Sequence, residues 1–441
     1  MSWNALALAI EALSWMDLRR INERLALRRA AKQLDIRSQA TMRHAFRLIM
    51  EATRRKNVLD HIVAQALDDE GLKELNLGVR SFLRVYVSEV KYGGITYEEA
   101  VEMAGEARRI LGSRELAPVE EALDLVHHLD INLQGLSCDE VIALRTFHPA
   151  WYVKYCSGLF GREEALRLLQ APDPHNYIRI NSLKGAEKET LESLRQEGLG
   201  LESEPDLVQA FRVVEQERPL ALMKAHMDGL FTVQDKASVL AGLVAAPWPG
   251  VTVLDVCAAP GGKTGHMAQL MENSGRILSM DSSERRLETW KREMARLGVK
   301  NAVPVLGDAR KPKDFPDVEA DVVLVDPPCT GTGTFNRIPS GKWRLTRRSI
   351  SRMAIIQRRI LDNCAEHVKQ GGTLVYSTCS VTVEENELLI NDFLQAHTGF
   401  KLVEAEPRIG APGLMGQVEA QRLYTHIHRC NGFYIAKLVR A

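Results

Sequence analysis

Apolar residues recur three and four positions apart through the first third of the chain. Ala45, Leu48, Ile49 and Ala52 form one such set, and Val79, Leu83, Val87 and Val90 another. With few β-branched runs and little proline, this spacing predicts an all-α domain over residues 1–143. Its loops are marked near Gly93-Gly94 and Asn132-Leu133-Gln134-Gly135. The apolar run Leu6 to Ile10 is interrupted by Glu11 and Asp17 and lacks a small-residue cleavage signal, so an amphipathic helix is predicted there, not a signal peptide.

A second pattern covers residues 144–232. A helix is predicted around Arg162 to Leu169, Ala171-Pro172-Asp173-Pro174 breaks the chain, and Tyr177 to Asn181 reads as a strand followed by a helix from Glu187 to Glu197. This predicts a small α+β connector module. From Asp235 the pattern becomes a regular alternation, with strands at 251–256, 276–281, 302–306, 321–325 and 373–378. Helices are predicted at 263–272, 283–297, 351–368 and 384–396, the last opened by a Thr382/Glu385 capping box. Such alternation predicts an α/β, doubly wound, mostly parallel sheet over residues 233–441. In the 351–368 helix, Met353, Ile356, Ile360, Leu361, Cys364 and Val368 share a face that reads as core packing.

Composition sharpens this picture in three places. A chain of 441 residues accommodates two or three domains at about 100–200 residues each. No stretch approaches the ~20 apolar residues of a membrane helix, and cytoplasmic residence is expected. Seven cysteines, at 138, 156, 257, 329, 364, 379 and 430, form no Cys-x-x-Cys pair, so neither a zinc ribbon nor a disulfide scaffold is expected, and no metal is called for. Cys138, Cys156, Cys364 and Cys430 read as apolar fillers. Basic and acidic residues balance at 57 each, yet no acid occurs between Pro327 and Leu361. That stretch holds Arg337, Lys342, Arg344, Arg347, Arg348, Arg352, Arg358 and Arg359, and it predicts a phosphate-binding strip with Trp343 as a stacking platform, against the plainer reading of a solvated face.

Leu254 to Thr264 reads as a buried strand, a tight turn of small residues and a helix start. Ligands of such sheets sit beyond the carboxyl ends of the strands. Neither G-x-G-x-x-G nor G-x-x-x-x-G-K-[ST] spacing is met, which disfavours a dehydrogenase or an ATPase. Asp281 ends the second strand and Asp308 follows the third. Carboxylates facing ribose hydroxyls and an adenine amine suit S-adenosylmethionine, whose sulfonium cation tolerates them. The expected cofactor contacts are Cys257, Ala258, Ala259, Pro260, Gly261, Gly262, Lys263, Asp281, Arg286, Asp308 and Asp326.

Asp326-Pro327-Pro328-Cys329 follows the fourth strand, and Ser377-Thr378-Cys379-Ser380 ends the fifth. Both thiols therefore arrive at the edge that carries the cofactor turn. Carbon 5 of a pyrimidine is a poor nucleophile, and a thiolate added to carbon 6 turns the ring into an enamine able to accept a methyl group there. Loss of the carbon-5 proton then needs a base. Asp326 suits the ring nitrogen and exocyclic amine of cytosine. The residues alone do not rank the two cysteines.

These motifs resemble the Sun/RsmB family of RNA cytosine-C5 methyltransferases. The resemblance rests on Asp255 to Lys263, Asp281, Asp308, Asp326 to Gly333, Lys342-Trp343-Arg344, Ser377 to Ser380, and Phe231 to Asp235. It implies that Cys379 is the nucleophile and Cys329 acts in product release, with Asp326 and Lys263 in the catalytic set. The helical segment and Phe147-His148-Pro149-Ala150-Trp151 resemble the NusB-like RNA-binding domain and connector of the RsmB branch. That resemblance makes ribosomal RNA the first expected substrate and transfer RNA the second, with no oligomer implied. One departure is Pro339-Ser340-Gly341, where family members often have Pro-Asp. Two rival readings fit the residues less well. An amino-group methyltransferase would favour an aromatic residue where Cys329 stands, and a non-catalytic ribosome-assembly factor would not need the cofactor acids and both cysteines.

Overall fold

The computed structural model describes residues 3–67, 74–205, 207 and 209–441. The chain forms two compact units, one of residues up to Ala171 together with Phe335–Arg344, the other of Pro172–Thr334 with Leu345–Ala441.

The first unit is helical. Asn22, Ser38, Asn76, Thr96 and Ser137 cap its helices, with Glu99 and Glu140 completing two capping boxes. Ala45, Leu48, Ile49 and Ala52 of the helix Gln39–Arg54 are all buried, as their spacing requires. Helices Ala150–Phe160 and Arg162–Leu169 cluster with this unit, whose last residue before the Pro-Asp-Pro break is Ala171.

Within the same unit, Lys342 is buried and donates to the carbonyls of Arg54 (3.0 Å) and Phe147 (2.7 Å). Trp343 Nε1 donates to Thr53 O at 2.6 Å, and Ser340 N to Glu23 Oε1 at 2.6 Å. Lys342 and Trp343 are thus structural anchors, a correction to the reading of a continuous basic strip. Lys342 looked like a surface cation because no neighbour in sequence reveals the helices that bury it. Burial, reinforced by Arg54 and Arg55, holds its ammonium down to about 7.

The second unit contains a small antiparallel sheet of β1 (Tyr177–Ile180), β2 (Leu199–Ser203), β3 (Ala210–Gln216) and β4 (Phe231–Val233), in the order β2-β3-β1-β4. Its larger sheet is Rossmann-like. β5 (Thr252–Val256), β6 (Arg276–Asp281), β7 (Ala302–Leu306), β8 (Ala320–Val325) and β9 (Val368–Thr378) run parallel in the order β9-β8-β5-β6-β7. β10 (Phe400–Val403) and β13 (Phe433–Arg440) pair antiparallel, and β13 pairs antiparallel with β9; β11 (Ala411–Pro412) and β12 (Gln421–Leu423) extend the same side. The central strands are covered on both faces and are apolar nearly throughout, as in Val322-Val323-Leu324-Val325. From β5 the chain steps outward through β6 and β7, then returns to build β8 and β9 on the other side. That reversal opens a crevice at the carboxyl ends of β5 and β8, where such sheets bind ligands.

Two local expectations are corrected. The last helix of the alternation spans Glu387–Ala396 behind Asn386, with no side-chain cap, because Asn386 Oδ1 accepts from Thr378 Oγ1 at 2.6 Å and its Nδ2 donates to Ser380 O at 2.9 Å. Cys138 is exposed at the start of its helix and accepts from Arg162 Nη2 at 3.1 Å, whereas Cys156, Cys364 and Cys430 are buried fillers.

Candidate active site

The turn after β5 opens the site. Gly261 adopts φ +110°, and a Cβ there would lie 2.7 Å from Met294 Cε and 3.0 Å from Trp290 Cδ1, so only glycine fits without strain. Beneath the turn, Thr264 Oγ1 donates to Asp255 Oδ2 at 2.5 Å and receives Trp290 Nε1 at 3.0 Å. Burial pushes the Asp255 carboxyl up to about 7 and the Cys257 thiol up to about 12.

Asp281, buried at the end of β6, accepts from Ala259 N (3.2 Å) and Ser283 N (3.0 Å), and Arg286 Nη1 sits 3.1 Å from its Oδ2. Arg286 also donates to Ala259 O, so it braces the turn against β6. Asp308, after β7, is gripped by Arg310 Nε (2.8 Å) and Nη2 (2.7 Å), which holds its carboxyl down at about 2.

Asp326 follows β8. Its Oδ2 receives Lys263 Nζ at 2.6 Å, and its Oδ1 receives Ser377 Oγ at 3.2 Å from β9. Lys263 therefore links the cofactor turn to Asp326. Cys329 and Cys379 end the loops after β8 and β9, with their sulfurs 3.0 Å apart. The neighbouring Cys379 sulfur, then burial, then the Glu385 and Asp326 carboxylates push the Cys329 thiol well above its ordinary range.

A cavity of about 500 Å³ contains Cys257, Ala259, Pro260, Asp281, Arg286, Asp308, Asp326, Cys329 and Cys379. Ala258, Gly262 and Lys263 instead line an adjoining cavity of about 280 Å³ that shares Cys257, Ala259, Pro260 and Asp326. Gly261 lines neither cavity and acts through the turn. Met353, Ile356 and Ile360 form an apolar wall of the larger cavity, so part of the helix face read as core faces the site. Sequence reasoning also missed Arg310, Ser377 and Glu385. A serine beside the Thr-Cys pair was the available signal for Ser377, the Thr382 spacing marked Glu385 only as a cap, and short-range pattern held none for Arg310.

A parallel sheet reversing at β5 and β8, with acids and two thiols around one crevice, has the Rossmann-like architecture of a methyltransferase, and the relatives define which kind. The family described as 16S rRNA methyltransferase RsmB/F matches residues 243–439. A relative from Synechocystis, "Probable ribosomal RNA small subunit methyltransferase B", is 30% identical over 97% of this chain and 99% of its own length. The chain belongs to the RsmB/F family. The "tRNA (cytosine(72)-C(5))-methyltransferase" of Pyrococcus horikoshii is 39% identical over 50% of this chain and 54% of its own. Among solved structures, that of PH0851 superposes with a TM-score of 0.85 at 28% identity, covering 99% of both chains.

Proposed function

We propose that this chain methylates carbon 5 of cytosine in ribosomal RNA, in the cytoplasm, through a covalent bond between Cys379 and carbon 6. The observation that carries the reading is that both thiols share one cavity with Asp281, Asp308 and Asp326.

The donor set fits S-adenosylmethionine. Asp281 and Asp308 offer carboxylate oxygens to ribose hydroxyls and an adenine amine, and the Gly261 turn lets the backbone from Cys257 to Lys263 approach the remainder. When bound, the cofactor supplies an electrophilic methyl group on a sulfonium. The protein's own groups do the rest. Asp326, oriented by Lys263 and Ser377, holds the cytosine edge. Cys379 adds as thiolate to carbon 6, and the displaced electron pair makes carbon 5 nucleophilic. Cys329 keeps its proton while the Cys379 sulfur is free. Once that sulfur is bonded to carbon, the largest influence raising the Cys329 thiol is removed, and Cys329 gives its proton to solvent to become a thiolate. It then takes the carbon-5 proton, and elimination expels Cys379.

Ribosomal RNA is the first reading because the Synechocystis relative matches over nearly the whole of both chains. The higher identity to the Pyrococcus tRNA enzyme covers only half of this chain and keeps transfer RNA second. On this reading the helical unit is a NusB-like RNA-binding domain and the small sheet part of an RNA-binding connector. Cys329→Ala is expected to trap a protein–RNA adduct on a denaturing gel, and Cys379→Ala to give neither adduct nor methylation. Swapped phenotypes would reverse the two roles. Bisulfite sequencing of RNA from cells with and without the gene identifies the target, and an unchanged ribosomal RNA profile would reject that substrate.

A further inference from the structure

Glu385 is fully buried, and among the described residues no cationic side chain pairs with it. A carboxylate in that setting needs hydrogen-bond donors to stay folded inside. Five converge on it. Oε1 receives the hydroxyls of Ser380 (2.7 Å), Thr382 (2.8 Å) and Thr330. Oε2 receives Thr330 N (2.8 Å) and Gln357 Nε2 (2.9 Å). Thr330 directly follows Cys329 and Ser380 directly follows Cys379, so one carboxylate holds the residue after each thiol. Gln357 reaches it from the helix Arg347–Ala365 and also donates to Pro328 O at 2.9 Å, one residue before Cys329. Two cross-links run in parallel: Gly333 N donates to Cys379 O at 2.9 Å, and Val381 N to Thr332 Oγ1 at 2.8 Å.

The two cysteine loops come from different strands, and nothing covalent sets their separation. We propose that Glu385 is a positioning residue that fixes the spacing of Cys329 and Cys379, and through it the geometry of both thiol addition and thiol release. The proposal rests on the covalent reading above for its catalytic meaning, but the spacing itself can be measured without it. Glutamate suits the task because a carboxylate accepts at four lone-pair positions and donates at none. A glutamine of the same size would turn an amide N–H₂ toward groups that already donate, so part of the network must come apart.

The test compares Glu385→Gln with the parent protein in two readouts. In the first, diamide, a two-electron oxidant, takes the two thiol hydrogens and joins Cys329 to Cys379, and mass spectrometry of the linked peptide follows the rate. Glu385→Gln is expected to slow this linkage at least about tenfold, and the second readout, adduct formation with RNA in a Cys329→Ala background, on the order of 10²-fold, since misplacement by ~1 Å costs that much. S-adenosylmethionine affinity and the KM for RNA should stay near parental values while kcat falls, a split that general loss of folding would not give. An unchanged linkage rate overturns the proposal. Slowed linkage together with no adduct in Cys329→Ala itself leaves the spacer standing and rejects the covalent reading. Should Glu385→Gln fail to fold, Thr330→Val removes a single hydroxyl donor from the Cys329 side, and the same linkage rate decides.

Discussion

Asp326 ties the turn after β5 to the end of β9 through one side chain. Its two oxygens are committed to Lys263 and Ser377, which leaves its orientation fixed between the cofactor turn and the cysteine loops. Asp326→Asn removes the charge that Lys263 neutralises and replaces an acceptor by a donor. Single-turnover methylation is expected to fall at least ~10²-fold, the loss that misplacing a substrate by ~1 Å brings. A rate equal to the parent enzyme would show that Asp326 only supports the fold. Glu385 carries the complementary lesson about reading residues from sequence. Thr382 and Glu385 stand three apart, which is the spacing of a capping box, and the side chains do meet at 2.8 Å. Yet Glu385 also gathers donors from two other segments that sequence spacing cannot bring together.

The turn and helix that follow β5 work as one element. Gly261→Ala would force a side chain into φ +110° against Met294 and Trp290, and backbone strain of this kind costs ~1–3 kcal/mol. Cofactor affinity by titration calorimetry should drop about tenfold, the loss that 1.4 kcal/mol represents. Parental affinity would mean that the turn relaxes without consequence. The helix Arg347–Ala365 has two sides of interest. Met353, Ile356 and Ile360 line the cavity, while Arg347, Arg348, Arg352 and Arg359 are exposed and Arg358 pairs with Asp362. Phosphate binding and a solvated face both remain readings of these exposed arginines, without Lys342 and Trp343. Replacing Arg347 and Arg348 by glutamine should weaken RNA binding and lower the slope of log affinity against log salt by about one per arginine. An unaltered slope would place those arginines away from phosphates.

At the scale of the whole molecule, a buried group in each unit, Asp255 in the second and Lys342 in the first, titrates in opposition to the other. The Asp255 carboxyl, in the second unit, is raised from 3.8 to about 7, so its favourable contribution is present below 3.8 and lost as pH rises through about 7. The Lys342 ammonium, in the helical unit, is lowered from 10.5 to about 7, so its contribution is present above 10.5 and lost as pH falls through about 7. Unfolding followed across pH should show that Asp255→Asn, compared with the parent, gains stability as pH rises from 3.8 to about 7. Lys342→Met should gain relative to the parent as pH falls from 10.5 to about 7. Differences that stay constant with pH would show that neither group is perturbed.

The sequence by itself determined the parallel core and which acids and thiols stand beyond the carboxyl ends of its strands. β6 and β7 occupy the residues their apolar runs marked, and the cofactor turn, its acids and both cysteines fall at strand ends, because strand period and tight-turn glycines are local physics. The antiparallel strands β10 to β12, of two to four residues, left no comparable local signature, since their pairing is what makes them strands, whereas β13 was missed although Phe433-Tyr434-Ile435-Ala436 is an apolar run. Only the tertiary structure decided that Lys342 and Trp343 are anchored inside the helical unit, that Met353 and Ile356 face a cavity, and that Glu385 joins the two cysteine loops. Each of these depends on which distant surfaces meet, and neighbours along the chain hold no record of that.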